Sequence, residues 1–294
     1  MTAQPDSDDE GAGIVGDAEF DSAKPCPARI YDLFLAGKSG FAADREEAAR
    51  VEAAFSPPLP GHLPAPREMA LRSRLFADRA VSWASRHGVR QVLDLGAGYP
   101  AGGRIVPLPG GGTVTLRDIH EAAGDGGPAR VVYADKDPVA VSHMSALAAD
   151  GKNITAILGD VADPDAILAD PAVRDCIDFR LPVCVVLSLV LQQFPAGTAR
   201  QITAAWVAAA SCPGSVLAIS SPRISETLWG RAGGAYTAGV FFNHAPADVV
   251  SFFAGTEIMA PGVVPARGWN AGWADCAKPD GPAYVLAGVG RVRS

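Results

Sequence analysis

Apolar and polar positions change their spacing several times along the chain, and each change marks an element. Ile30, Leu33 and Phe34 fall on one helical face that Gly37 can end, and a second helix is expected over Phe41–Phe55 with acids and arginines on its outer side. Pro57, Pro58, Pro60 and Pro64 stop helical structure. Pro66 then opens a longer helix in which Met69, Phe76, Ala80 and Trp83 recur at helical spacing before Gly88. The period changes at Gln91–Pro100. There Val92, Leu93 and Leu95 surround Asp94 and the run breaks into Gly96 and Gly98, the pattern of a buried strand ending in a tight turn. Pro100 suits the first position of a following helix.

Beyond the turn, Arg104–Leu108 and Thr113–Arg117 flank Pro109-Gly110-Gly111-Gly112 and predict a β-hairpin. Val131–Ala134 reads as a strand ending at Asp135, and Asp137-Pro138 as the N-cap and first position of a helix with Ala140, Met144 and Leu147 inward before Gly151. Ile154–Leu158 and the unbroken apolar Val183–Leu187 predict further buried strands, with a helix capped by Asp163-Pro164 between them. A helix over Thr198–Ser211, a strand at Ser215–Ser220, a helix from Pro246 through Phe253 and a last strand at Ala283–Val289 complete the alternation. Strands alternating with helices imply a mostly parallel sheet covered on both faces.

Composition narrows the function classes. The longest apolar stretch, Leu181–Leu191, is broken by Ser188 and is shorter than the roughly 18 residues a bilayer span needs, so no membrane role is expected. The start, MTAQPDSDDE, is acidic where a signal peptide is basic and then apolar. Five cysteines (Cys26, Cys176, Cys184, Cys212, Cys276) without a CxxC pair indicate neither a disulfide framework nor a metal site, which fits a reducing cytoplasm. The net charge of −7 is concentrated at one end: residues 1–24 carry seven acids against Lys24. That segment reads as a flexible acidic leader, and without a basic stripe no nucleic-acid partner is expected.

The glycine turn is the expected ligand site. Gly96-x-Gly98-x-x-Ala101 matches a dinucleotide fingerprint, which keeps NAD in view. Asp94 favours another ligand, because a carboxylate there repels a pyrophosphate and suits the ammonium of an amino-acid moiety. Asp135, at a strand end, can accept hydrogen bonds from both hydroxyls of a ribose. It follows Gly98 by 37 residues, far more than the spacing of about twenty in a simple strand-helix-strand unit, so the hairpin is an insertion at about 104–117.

Asp94-Leu95-Gly96-Ala97-Gly98 resembles the first motif of class I S-adenosylmethionine (SAM) methyltransferases. The opening Ala28–Arg45, with Arg29, Tyr31-Asp32, Gly37-Lys38, Phe41 and Ala43-Asp44-Arg45, resembles the "RxYDYLLGGKDNFxADR" opening of an actinobacterial S-adenosyl methyltransferase family once classed as a domain of unknown function. Asp118–Ala123, Val131–Pro138 and the Asp163-Pro164 segment resemble further motifs of that family.

The resemblance implies a Rossmann-like seven-stranded class I sheet over residues 89–294, with a final antiparallel strand and an N-terminal helical cap over 25–88. It implies SAM as cofactor, S-adenosylhomocysteine (SAH) as product, and a site made of Asp94, Gly96, Ala97, Gly98, Asp135, Lys136, Asp160, Val161 and Ser188, with Asp160 and Val161 at adenine. It also makes Tyr31, Asp32 and Lys38 candidates for the pocket. The family has a histidine after the fourth sheet strand and an aspartate shortly after it, where this chain has Gln192 and Ala196, so no base is inherited there. Candidate bases are His120 first and Tyr31, then His244 and Tyr236. The expected activity is methyl transfer to a small-molecule acceptor in secondary metabolism. A SAM-binding protein without transfer and an NAD-linked oxidoreductase are the competing readings, and a homodimer is the expected assembly if the chain associates.

Overall fold

The computed structural model describes residues 21–148, 153–269 and 281–293. The leader up to residue 20, Gly151 and Cys276 lie outside them.

The first three elements are α1 (Pro27–Phe34), α2 (Ala42–Ala54) and α3 (Ala65–Arg86). Met69, Phe76 and Ala80 on α3 are buried as their spacing predicts, whereas Trp83 is half-buried and stacks on His87 at 4.4 Å. Helix α2 departs from expectation. Asp44 and Glu47 are buried, not on the outer side, and each is engaged there. Asp44 accepts from Arg29 Nε at 2.7 Å, from the Cys26 amide at 2.8 Å and from the Phe41 amide at 2.7 Å. Glu47 accepts from Thr237 Oγ1 at 3.0 Å and the Ala238 amide at 3.2 Å. The charged positions are therefore the ties that hold α2 to its neighbours, as buried charges must be paired.

Strand β1 (Gln91–Leu95) leads through the glycine turn into the predicted hairpin, β2 (Ile105–Pro107) and β3 (Thr113–Thr115). No helix starts at Pro100; the insertion displaces it to α4 (Ile119–Ala123), where Glu121 Oε2 accepts the Asp118 amide at 2.6 Å in a capping box. The hairpin has its own small core, in which Val106 and Leu116 meet Leu35, Ala70 and Leu71, and Arg104 pairs with Asp32 at 2.8 Å.

The chain continues through β4 (Arg130–Asp135), α5 (Pro138–Ala148), β5 (Ile154–Leu158), α6 (Pro164–Ala169), α7 (Pro171–Cys176), β6 (Cys184–Ser188), α8 (Ala196–Ala209) and β7 (Val216–Ile224). It then forms α9 (Glu226–Ala232), α10 (Pro246–Ser251), β8 (Thr256–Ile258), β9 (Val264–Pro265) and β10 (Ala283–Val292). The caps at Asp137 and Asp163 form as predicted, accepting from Val139 and Ala166 amides at 3.0 and 3.1 Å. Helices α7 and α9 were not expected from the sequence.

The sheet order is β5-β4-β1-β6-β7-β10-β8, with β9 also on β10. Strands β5, β4, β1, β6 and β7 are parallel, and β10 is antiparallel to its neighbours. Alternate residues feed two cores. Val92, Val131, Val186 and Ala218 pack with α3 on one face, while Leu93, Val132, Leu187 and Ile219 pack with α8 on the other. Strands leave β1 toward β4 on one side and β6 continues on the other, so a crevice opens at the carboxyl ends of β1 and β6.

Candidate active site

One cavity occupies that crevice, and the residues bordering it fall into two groups. The first comes from strand ends: Asp94, Gly96, Ala97 and Gly98 after β1, Asp135 and Lys136 after β4, Asp160 and Val161 after β5, and Ser188 at the end of β6. The second comes from α1, the end of α2, α9 and the chain after it: Tyr31, Phe34, Phe55 just past α2, Trp229, Tyr236 and Phe241. The cofactor residues expected from sequence are thus brought together, and Tyr31 with them.

Gly96 and Gly98 take φ of 69° and 66°, in the left-handed region that favours glycine. A Cβ on Gly96 would lie 2.8 Å from Val190 Cγ2, whereas one on Gly98 would meet no atom within 4 Å. Gly98 is open toward the cavity, so main chain is presented there without a side chain in the way.

Asp94 is 4% exposed, and no described residue hydrogen-bonds to its carboxylate. Burial pushes its pKa up to about 7; buried Arg74 of α3 pulls it down, and Asp135 and Asp118 add repulsion. Arg74 is held by Asp118 at 2.7 Å and by the Arg117 carbonyl at 3.0 Å. A buried carboxylate with open acceptor positions, next to an immobilised guanidinium, suits a zwitterionic amino-acid group.

Asp135 accepts the Gly98 amide at 2.8 Å on one oxygen and the Asp137 amide at 2.9 Å on the other, and each oxygen retains a lone pair. Those two lone pairs are what a ribose diol requires. Burial raises the Asp135 pKa, and the two amides oppose the rise. Lys136 lies at the rim with Nζ 3.3 Å from Gln193 Oε1. Asp160 is exposed and caps the Ala162 amide at 2.9 Å, while the Val161 carbonyl accepts from Trp206 at 3.2 Å. Ser188 Oγ lies 2.7 Å from Ser73 Oγ and 3.2 Å from Ser220 Oγ, so three hydroxyls join β6, α3 and β7. The donor set fits an adenosyl ligand with a methionyl tail.

Four expected residues are placed elsewhere. His120 does not border the cavity. The Tyr133 hydroxyl accepts its amide at 2.9 Å and faces its Nδ1 at 3.0 Å, so Tyr133 of β4 captures this side chain away from any acceptor. His244 is buried against Phe252, its Nε2 3.0 Å from the Phe194 carbonyl, and burial lowers its pKa. Asp32 is buried in its pair with Arg104, and Lys38 is exposed; neither borders the cavity.

Sequence reasoning missed Arg74, Trp229, Phe241 and the backbone of Leu189. Leu189 takes φ of 50° directly after Ser188, a rare conformation for a residue with a Cβ. Trp229 and Phe241 pack with ring centres 5.3 Å apart, and Tyr236 meets Phe241 at 6.0 Å. Aromatic residues scattered through a glycine-rich stretch, Trp229-Gly230 to Phe241, were the available signal for this wall.

The family model described as S-adenosyl methyltransferase matches residues 15–293. A protein from Thermobifida fusca YX assigned as a methyltransferase has a similar crystal structure, with TM-score 0.76, 29% identity, and coverage of 92% of this chain and 96% of that one. A DUF574 family protein from Streptomyces avermitilis MA-4680 is similar with TM-score 0.77 and 26% identity over 92% and 99% of the two chains. No curated protein matches the sequence. With its fold, its glycine turn and its carboxylates in one crevice, this chain belongs to the S-adenosyl methyltransferase family and is a SAM-dependent methyltransferase.

Proposed function

We propose that this enzyme methylates a small-molecule acceptor of secondary metabolism, held between the strand-end site and the aromatic wall. The observation that carries this reading is the continuity of one cavity from Asp94 and Asp135 to Trp229, Tyr236 and Phe241. Such a cavity, mostly apolar with a few fixed polar groups, suits a compact ligand.

In this reading Asp94 holds the cofactor's ammonium and Arg74 its carboxylate. The Gly96-Ala97-Gly98 turn lets the methionyl chain approach. Asp135 takes the ribose hydroxyls with Lys136 beside them, Asp160 and Val161 the adenine, and Ser188 borders the sulfur. When bound, the cofactor supplies a methyl group already activated by its positive sulfur. The chain's own task is then to hold the acceptor in line and to keep water away. Tyr31 serves as wall: its hydroxyl donates to the Ala70 carbonyl at 3.2 Å, and burial pushes its pKa up to about 12, so it keeps its proton at neutral pH.

Titration calorimetry with SAM, SAH and NADH tests the cofactor reading, and SAM and SAH are expected to bind while NADH does not. Incubation with methyl-labelled SAM and an actinobacterial extract is expected to label the small-molecule fraction. Binding without any transfer would instead make the chain a SAM-binding module, and label confined to macromolecules would overturn the acceptor class.

A further inference from the structure

Gln192 follows β6 in a short 3₁₀ turn, Leu191–Gln193, and borders the cavity. Its Nε2 donates to the Leu189 carbonyl at 2.5 Å, which fixes the orientation of the amide, since a carbonyl can only be faced by the NH₂ end. Its Oε1 is buried and has no hydrogen-bond partner among the described residues. The position is held from behind as well, because the Gln192 carbonyl accepts the Phe242 amide at 2.7 Å and so ties this turn to the aromatic wall. A buried acceptor that lacks a donor is unfavourable, and a donor brought by a ligand relieves it.

We propose that Gln192 Oε1 accepts a hydrogen bond from an N–H of the methyl acceptor, and that the acceptor is an aromatic amine. The proposal rests on the transferase reading above and names its substrate class. Oε1 demands a hydrogen, which amines and hydroxyls carry and carboxylates do not. The choice between amine and hydroxyl follows from what borders the aromatic end of the cavity. Burial raises Tyr31 and Tyr236, and the half-buried Cys26 thiol lies 3.4 Å from Asp137 and is also raised. His120 and His244 lie outside the cavity wall. The carboxylate beside the Cys26 thiol, Asp137, already accepts from Cys26, from the Tyr99 hydroxyl at 3.1 Å and from the Val139 amide at 3.0 Å. None of these groups is therefore free to take the acceptor's proton, and an amide side chain cannot.

A neutral aromatic amine needs no such group, because its lone pair is already free to attack. The N–C bond forms as the C–S bond breaks, the bonding pair stays on sulfur as a thioether, and the proton then leaves nitrogen for water. Trp229, Phe241 and Tyr236 supply flat apolar faces for the ring that carries the nitrogen.

The test uses the full chain saturated with SAH and a matched set of probes: 1-naphthylamine, N-methyl-1-naphthylamine, N,N-dimethyl-1-naphthylamine, 1-naphthol and 1-naphthoate. The two amines with an N–H are expected to bind at least tenfold more tightly than the dimethyl compound and the carboxylate. With labelled SAM, methyl appears on 1-naphthylamine and not on 1-naphthol. Gln192→Leu and Gln192→Met are expected to remove the preference for N–H while keeping SAH affinity, which also verifies that the variants fold. Equal binding of the amine and its dimethyl form, survival of the preference in both variants, methylation of naphthol alone, or binding of SAH with none of the probes would each overturn the proposal while leaving the transferase reading intact. Failure of SAH itself to bind would overturn both.

Discussion

At the glycine-turn end of the cavity the wall is made of strand termini that the sheet holds in register, and its polar atoms are backbone amides and carboxylates. At the aromatic end the wall comes from α1, α2, α9 and the chain after α9, elements far apart in sequence and joined by two buried charged ties. One end is rigid because of strand pairing. The other owes its shape to a few side chains. The difference teaches that cofactor binding and acceptor binding in this molecule depend on separable sets of contacts.

Breaking a tie at the aromatic end gives the largest expected effect. Asp44→Ala leaves the Arg29 guanidinium, 3% exposed, without its carboxylate. It should cost about 3–5 kcal/mol in a urea melt, with acceptor turnover lost before SAH affinity. If SAH affinity fell in step with acceptor binding, the two ends would not be separable.

The glycine turn sharpens the contrast from the other side. Gly96→Ala combines a positive φ with a contact at 2.8 Å to Val190 and should destabilise by roughly 2–4 kcal/mol. Gly98→Ala meets no atom, and should cost only about 1–2 kcal/mol in stability while still weakening SAH binding. Thermal melts of the pair check the order.

Asp94→Asn should weaken SAH about 10- to 100-fold, which is roughly 1.4–2.8 kcal/mol, without disturbing the aromatic end. The pH dependence separates this residue from others. Its pKa rises from 3.8 to about 7 on folding, so between those values the folded chain holds a proton that the unfolded chain has released. Stability of the ligand-free protein therefore gains from this group as pH falls from 7 toward 4, and SAH affinity declines over the same range because the ammonium needs the ionised form. Calorimetry and melts across pH should show the two opposed slopes, and Asp94→Asn should flatten both.

The smallest effect is expected at the far wall. Trp229→Ala should raise the acceptor KM about 5- to 10-fold with SAH affinity unchanged, as removal of one face of the wall loses about 1 kcal/mol of contact. Isothermal titration beside steady-state kinetics would show whether the split holds.

The same contrast explains what could be read before the fold was seen. Asp94, the two glycines, Asp135 and Asp160 each stand at the end of a short apolar run, and local pattern is enough to place such residues. Arg74 could not be singled out, because one arginine on a long helix has no local mark showing which face is buried. Helix α9 was hidden by Gly230 and the glycines after it, which read as loop. Asp44 and Glu47 have the charges of a solvated face, and only the partners that tertiary packing delivers, Arg29 and the backbone near Thr237, turn them inward. His120 illustrates the reverse case. A family-like motif near the turn made it the first candidate base, yet its side chain is taken by Tyr133 of the neighbouring strand.

Asp32 is 1% exposed at its side chain, and the cation beside it, Arg104, belongs to the inserted hairpin. A recombinant that excised residues 104–117 would strand that acid inside the fold, and one that grafted them onto a relative with a neutral residue at this place would strand the base. The two segments thus form one electrostatic unit, and whoever swaps loops to retarget this scaffold must move the opening helix along with the ribbon.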